Sequence, residues 1–207
     1  MTCDHSRYKP RTSRGQTLVA YTKLKLQRLF ISPRTAEHMT WHQAHDAVDG
    51  VMVHPSDSKA WKRFNSVHPY FLAESRNVRL GLCTNGFNPF GSFAAPYSCW
   101  PVILTVYNLP PGMCMRPKFM FLSIVIPGPS SSGRNIDVCL RPLINELAQL
   151  WSSRALTYDI SRKQHFLMRA ALMWTINDFP ALECFLVGAC MGNSHVYTPW
   201  KTTRHSR

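Results

Sequence analysis

The segment Asn77 to Gly91, NVRLGLCTNGFNPFG, ends by handing a short polar side chain to a loop. Val78, Leu80 and Leu82 alternate with Arg79, Gly81 and Cys83, the period of a two-faced strand. From Thr84 the run Asn85-Gly86-Phe87-Asn88-Pro89-Phe90-Gly91 is turn and loop chemistry. A strand breaking into a Gly/Pro loop is a common place for a metal ligand or catalytic group, and the side chain at this break is Asn85. A second such place is Asp178, where Trp174-Thr175-Ile176 reads as a strand running into Asn177-Asp178-Phe179-Pro180. Asp137 stands ahead of an apolar helical stripe, where capping is the preferred reading over catalysis.

Other side chains are weaker candidates. His38 and His42 lie one helical turn apart with His45 near them, the spacing of a metal-binding face, but no fourth ligand is evident and a polar helix surface is preferred. The seven cysteines are scattered, odd in number and without a C-x-x-C pair, a pattern of reduced intracellular thiols rather than a disulfide framework. No phosphate loop of the G-x-x-x-x-G-K type occurs.

Charge points to a polyanion. The 24 Lys and Arg against 11 Asp and Glu give +13, with nucleic acid the first partner and an anionic membrane surface the second. Residues 1–35 hold Arg7, Lys9, Arg11, Arg14, Lys23, Lys25, Arg28 and Arg34 against Asp4 alone, and are expected to be a disordered tail that contacts phosphate, serves nuclear import or is simply solvated. The longest apolar run, Phe119 to Ile126, is far short of a membrane span, and no apolar segment follows the basic start as in a secretory signal, so the expectation is soluble and intracellular.

The elements that must position Asn85 and Asp178 follow from periodicity. Thr35 to Ala47 reads as a helix capped by Thr35, and a short helix through Trp61 and Phe64 is capped by Ser56 or Asp57 and ends near His68-Pro69. Trp61, Phe64, Tyr70 and Phe71 read as packing groups, although aromatics beside basic residues can also stack on bases. Trp100 to Tyr107 and Phe119 to Ile126 are second and third strands of an antiparallel meander. Leu140, Leu143, Ile144, Leu147, Leu150 and Trp151 form one helical stripe, with Pro142 near its start and Asp137 or Asn135 as cap. Residues 166–180 are apolar enough for helix or buried strand, with helix propensity over Met168 to Met173, and read as the fourth strand because Trp174-Thr175-Ile176 runs into a loop. The expected fold is α/β, an incomplete ribonuclease-H-like core of strand-strand-strand-helix-strand over 77–180. It follows a helical segment at 36–76 and precedes a divergent basic tail at 181–207. In such a core the first and fourth strands are neighbours, which brings Asn85 beside Asp178.

From about Leu24 to Ala181 the chain resembles the transposases of plant CACTA-type (En/Spm) DNA transposons. The resemblance is carried by LQRLFISPRTAEHMTWH, DGVMVHPSDSKAWKRF, NVRLGLCTNGFNPFG, WPVILTVYNLPPGMCM, FLSIVIPGP, NIDVCLRPLINELAQLW and MRAALMWTINDFPA. It implies cut-and-paste transposition by a core in which carboxylates hold two Mg²⁺ or Mn²⁺ ions about 3.5–4 Å apart, acting on double-stranded DNA at transposon ends, in the nucleus. Asp178 matches the family's second acidic position and would be a metal ligand. Asn85 replaces the family's first Asp. A neutral carboxamide with one good oxygen cannot bridge two hard cations as a carboxylate does. After Ala181 the resemblance stops, and the family's C-x-x-C pair and third acid are not matched by Cys184, Cys190 or Glu183. The expectation is a truncated, catalytically inactive member that has not kept its metals. The alternatives are a DNA-binding or protein-interaction module, contacting DNA through the basic N-terminal residues or pairing with full-length transposase, and a remnant without a stable fold.

Overall fold

The computed structural model describes residues 21–90, 98–126 and 136–177, with backbone alone at 136–138 and 177. Helix α1 (Thr22–Ile31) forms because Leu26, Leu29 and Phe30 recur at helical spacing with no breaker before Pro33; all three are buried. The described part of the tail expected over 1–35 is thus a packed helix. Its first N–H groups, which have no partner within the helix, are capped from a distance: the Glu146 carboxylate accepts Thr22 N at 3.0 Å and Lys23 N at 2.9 Å.

The helix expected over 35–47 is broken into pieces. Pro33 opens a one-turn α2 (Pro33–Ala36), a 3₁₀ turn follows at Glu37–Thr40, and α3 is Trp41–Ala44. Thr35 does not cap: it is buried, and its hydroxyl donates back to Leu29 O at 2.5 Å. Helix α4 (Lys59–Val67) is capped by Ser58, whose hydroxyl accepts Trp61 N at 3.2 Å, an interaction of about 1 kcal/mol. Ser56 and Asp57, expected as caps, form the turn before it, where Asp57 accepts Val53 N and His54 N. His68 ends α4, and Pro69 starts the one-turn α5 (Pro69–Leu72).

The sheet follows the alternation. Strands β1 (Val78–Thr84), β2 (Trp100–Val106) and β3 (Met120–Ile126), with α6 (Pro111–Cys114) between the last two, make the expected antiparallel meander. The fourth partner is β6 (Ala170–Asn177), parallel to β1, giving the order β3-β2-β1-β6 and a mixed sheet. Between them run α7 (Ile136–Ser152) and a hairpin of β4 (Ala155–Asp159) and β5 (Gln164–Met168). The single strand expected within 166–180 is therefore two, split at Arg169. Pro142 lies inside α7 rather than near its start, and Asp137, expected as a cap, is already helical. Asn135 and residues 181–207 lie outside the described residues.

Both faces of β1 are covered. Val78, Leu80 and Leu82 join Leu104, Val106, Ile124, Leu26, Phe30 and the α7 stripe of Leu140, Leu143, Leu147 and Leu150. Burial of each such side chain contributes about 1.5–3 kcal/mol. The other face meets Trp61, Phe64, Phe71, Tyr107 and Met173. Gly81 is required there because Tyr107 crosses the strand: a Cβ would stand 2.5 Å from its ring and hydroxyl.

Candidate functional site

The parallel pair β1 and β6 carries the candidate site at one end. The register places Thr84 beside Asn177 on the last rung. Asn85, the next residue after Thr84, is exposed. Asp178, the next after Asn177, lies outside the described residues. The loop that carries Asn85 is held by backbone pairing of Phe87 with Cys99, at 3.0 and 2.9 Å, and by Asn88 Oδ1 accepting Phe90 N at 2.9 Å. Gly86 sits under the Trp100 indole, where a Cβ would be 2.7 Å from the ring. Only glycine lets the chain leave β1 this close to the ring.

The described donors at this edge do not fit a divalent hard cation. Asn85 offers one neutral amide oxygen, Thr84 Oγ1 is buried without a partner, and no group of three His, Cys, Asp or Glu that could hold a metal occurs among the described residues. Mg²⁺ and Mn²⁺ select charged oxygen ligands, which the described residues of this edge do not supply.

Arg79, on the strand that leads to Asn85, is buried at 1% exposure with no carboxylate partner among the described residues. Its guanidinium lies 4.6 Å from the Trp61 ring and 5.0 Å from that of Phe71. It donates to Asn65 Oδ1 at 2.9 Å and to His42 Nε2 at 3.2 Å. Arginine has no acceptor, so His42 Nε2 must be the lone-pair side of a neutral ring. Burial, with the Arg79 charge adding to it, pushes the His42 imidazole down to about 3, and burial lowers Arg79 to about 10. The Asn108 amide completes the arrangement, accepting Arg79 N at 2.8 Å and donating to Met39 O and Asn77 O. The N-terminal helices are thus clamped to β1 by one buried cation. Strand alternation had put Arg79 opposite the core side chains; that a second layer covers it is a tertiary fact.

The other expected residues scatter. Arg7, Lys9, Arg11 and Arg14 lie outside the described residues. Lys23, Lys25 and Arg28 are on α1; Lys25 Nζ donates to Leu122 O at 2.6 Å and is lowered by burial, with Glu146 opposing. The three histidines do not converge on a metal: His42 serves Arg79, while His45 stacks on Trp41 at 4.5 Å and meets Asp57 at 2.9 Å. Burial by itself raises the Asp57 carboxyl, but the His54 and Val53 N–H groups and His45 hold it below the usual range. Trp61, Phe64 and Phe71 are packing groups as expected, whereas Tyr70 is exposed. A buried cluster that sequence reading missed joins Arg76 to Glu74 at 2.7 Å and Asp159 at 3.3 Å, with the Arg76 guanidinium over Phe166. Glu74 and Arg76 are near neighbours, but Asp159 and Phe166 lie more than eighty residues on, so no local spacing could have announced the buried cluster.

Compared with known families, residues 49–203, about three quarters of the chain, match the model described as transposase family tnp2. The match continues past Ala181, where the motif resemblance was expected to stop. No curated protein and no solved structure matches the chain.

Proposed function

We propose that this chain, which belongs to the transposase family tnp2, is a DNA-binding member of the plant CACTA-type line that holds DNA without cutting it. The observation that carries this reading is Asn85: an exposed carboxamide one residue beyond the Thr84–Asn177 rung, where the family motif has a carboxylate. The order β3-β2-β1-β6, with β6 parallel beside β1, supports a ribonuclease-H-like core, the kind whose active site gathers at this edge. In that core Asp178 would be the acid retained next to Asn85. A site with one charge fewer attracts two Mg²⁺ ions far less, while phosphate contact by Arg7, Lys9, Arg11, Arg14, Lys23, Lys25 and Arg28 needs no metal. The partner is double-stranded DNA at transposon ends, and the place of action is the nucleus.

A second reading, contact with an intact full-length transposase, is favoured by the apolar run Val51, Met52 and Val53, each more than half exposed at 53%, 72% and 59%. The deciding experiment measures duplex binding and Mg²⁺- or Mn²⁺-dependent nicking together. Binding that weakens steeply with salt, without nicking, is expected. Metal-dependent nicking that Asp178→Ala removes would overturn the inactive reading, and absence of DNA binding would favour the second.

A further inference from the structure

At the opposite end of β1 from Asn85, four side chains form a surface of a different kind. Tyr70 is 48% exposed although its ring is anchored: its centroid is 6.0 Å from Trp151 and 5.7 Å from His68, and its hydroxyl meets His68 Nδ1 at 3.3 Å. Trp151 is itself backed by Phe71, stacked at 5.6 Å. The Arg169 guanidinium lies 4.7 Å over the Tyr70 ring and makes no ion pair among the described residues. Cation–π contact holds such a group in place while leaving its forked N–H donors open.

The backbone beneath is fixed. Asn77, buried at 2% exposure, donates from Nδ2 to Phe71 O at 2.9 Å and accepts Arg169 N at Oδ1 at 2.8 Å. One amide therefore sets the spacing between the segment that bears Tyr70 and the residue that bears the guanidinium. Arg169 O in turn accepts Val78 N at 2.8 Å. The carboxylate between α5 and β1, Glu74, is engaged by Arg76, and so is Asp159.

We propose that Tyr70, Trp151, His68 and Arg169 form a stacking platform for an unpaired DNA base, with Arg169 holding the adjoining phosphate. The inference rests on the DNA-binding reading and adds a site to it. An exposed aromatic face is of little use to a stacked duplex, whereas every unpaired base presents a π-face to it. The guanidinium covers one face of the Tyr70 ring, so the base takes the other face and the forked donors meet the adjoining phosphate bidentately. The strand rise of about 3.3 Å per residue puts this platform on the order of 20 Å from Asn85. A strand held there lies away from the edge where cleavage would occur.

The test compares the full chain with Tyr70→Ala, Tyr70→Phe and Arg169→Ala, measuring fluorescence anisotropy with labelled oligothymidine and with its duplex. Tyr70→Ala should weaken single-strand binding about five- to hundredfold and leave duplex binding nearly unchanged. Tyr70→Phe should retain most single-strand affinity, and Arg169→Ala should weaken it. Single-strand affinity indifferent to Tyr70→Ala overturns the platform while leaving DNA binding in place. An acidic peptide that displaces oligothymidine as well as DNA does also overturns it, marking the surface as protein-facing. Failure of the unmodified chain to bind either DNA overturns the reading on which the platform rests.

Discussion

Thr84 and Asn177 sit side by side in parallel register, although ninety-odd residues separate them in the chain. Thr84 carries the chain into the exposed Asn85, and Asn177 is the last described residue of β6, so this rung ends the described part of the parallel pair. Asn85, the residue nearest the rung, brings a neutral amide and no charge to this edge.

Metal should therefore bind to a repaired edge and not to the native one. A thermal melt of the unmodified chain is expected to be cooperative and indifferent to millimolar Mn²⁺. Asn85→Asp should make the transition rise with Mn²⁺, by about 2–4 °C for each kcal/mol of binding. A native transition that already rises with metal would show that Asn85 does not impair the site.

Stability should fall on mild acidification, and the cause should be histidine. His42, at about 3, and His54, lowered chiefly by burial, are held neutral in the fold, whereas an unfolded imidazole titrates near 6.5. The unfolded chain therefore binds more protons below pH 6.5, and stability present above that pH is lost as pH falls, with a slope up to about 1.4 kcal/mol per pH unit for each ring. The carboxylates Asp57, Glu74 and Asp159, all held low, lose their contribution only further down. Urea unfolding between pH 6.5 and 4.5 should show the slope, and His42→Gln, which keeps an acceptor for Arg79, should reduce it. An unchanged slope would remove His42 from the account.

Gly86→Ala should destabilise the loop that presents Asn85. The new methyl meets the Trp100 indole at 2.7 Å, and that ring is only 7% exposed and has little room to yield. Overpacking of this kind costs about 1–3 kcal/mol, readable as a lower urea midpoint. Gly112→Ala, whose Cβ would meet nothing within 4 Å, is the matched control and should change little.

DNA affinity should follow the basic N-terminal residues. Removing residues 1–20 deletes Arg7, Lys9, Arg11 and Arg14. If all four touch phosphate, the slope of log K against log salt should shrink by roughly 3–4. Lys25→Ala should matter less, because its ammonium is committed to Leu122 O. An unchanged slope after the deletion would assign the electrostatic contact elsewhere.

The meander was legible because its signal is local. Val78, Leu80 and Leu82 alternate, Trp100 to Tyr107 is rich in β-branched and aromatic residues, and the leucine stripe of α7 repeats at helical spacing. The failures were local signals overruled by packing. Thr35 looked like a cap but points its hydroxyl to Leu29 O, Ser56 and Asp57 gave way to Ser58, and Pro142 is carried inside α7. The strand expected within 166–180 was really two because Arg169 is drawn to Asn77 and Val78, partners that no window of neighbouring residues contains.

By itself the amino-acid sequence determined the strand that delivers Asn85, the loop that follows it, the neutral amide at that position, and the excess of positive charge, because each is a matter of residue type and short-range period. Only the tertiary structure decided the register that sets Thr84 opposite Asn177, that Arg79 is a buried clamp between two layers, and that Tyr70, expected to pack with Trp61, Phe64 and Phe71, faces outward beside Arg169. Those outcomes depend on which distant surfaces exclude water from one another, and burial is a property of the packed chain as a whole.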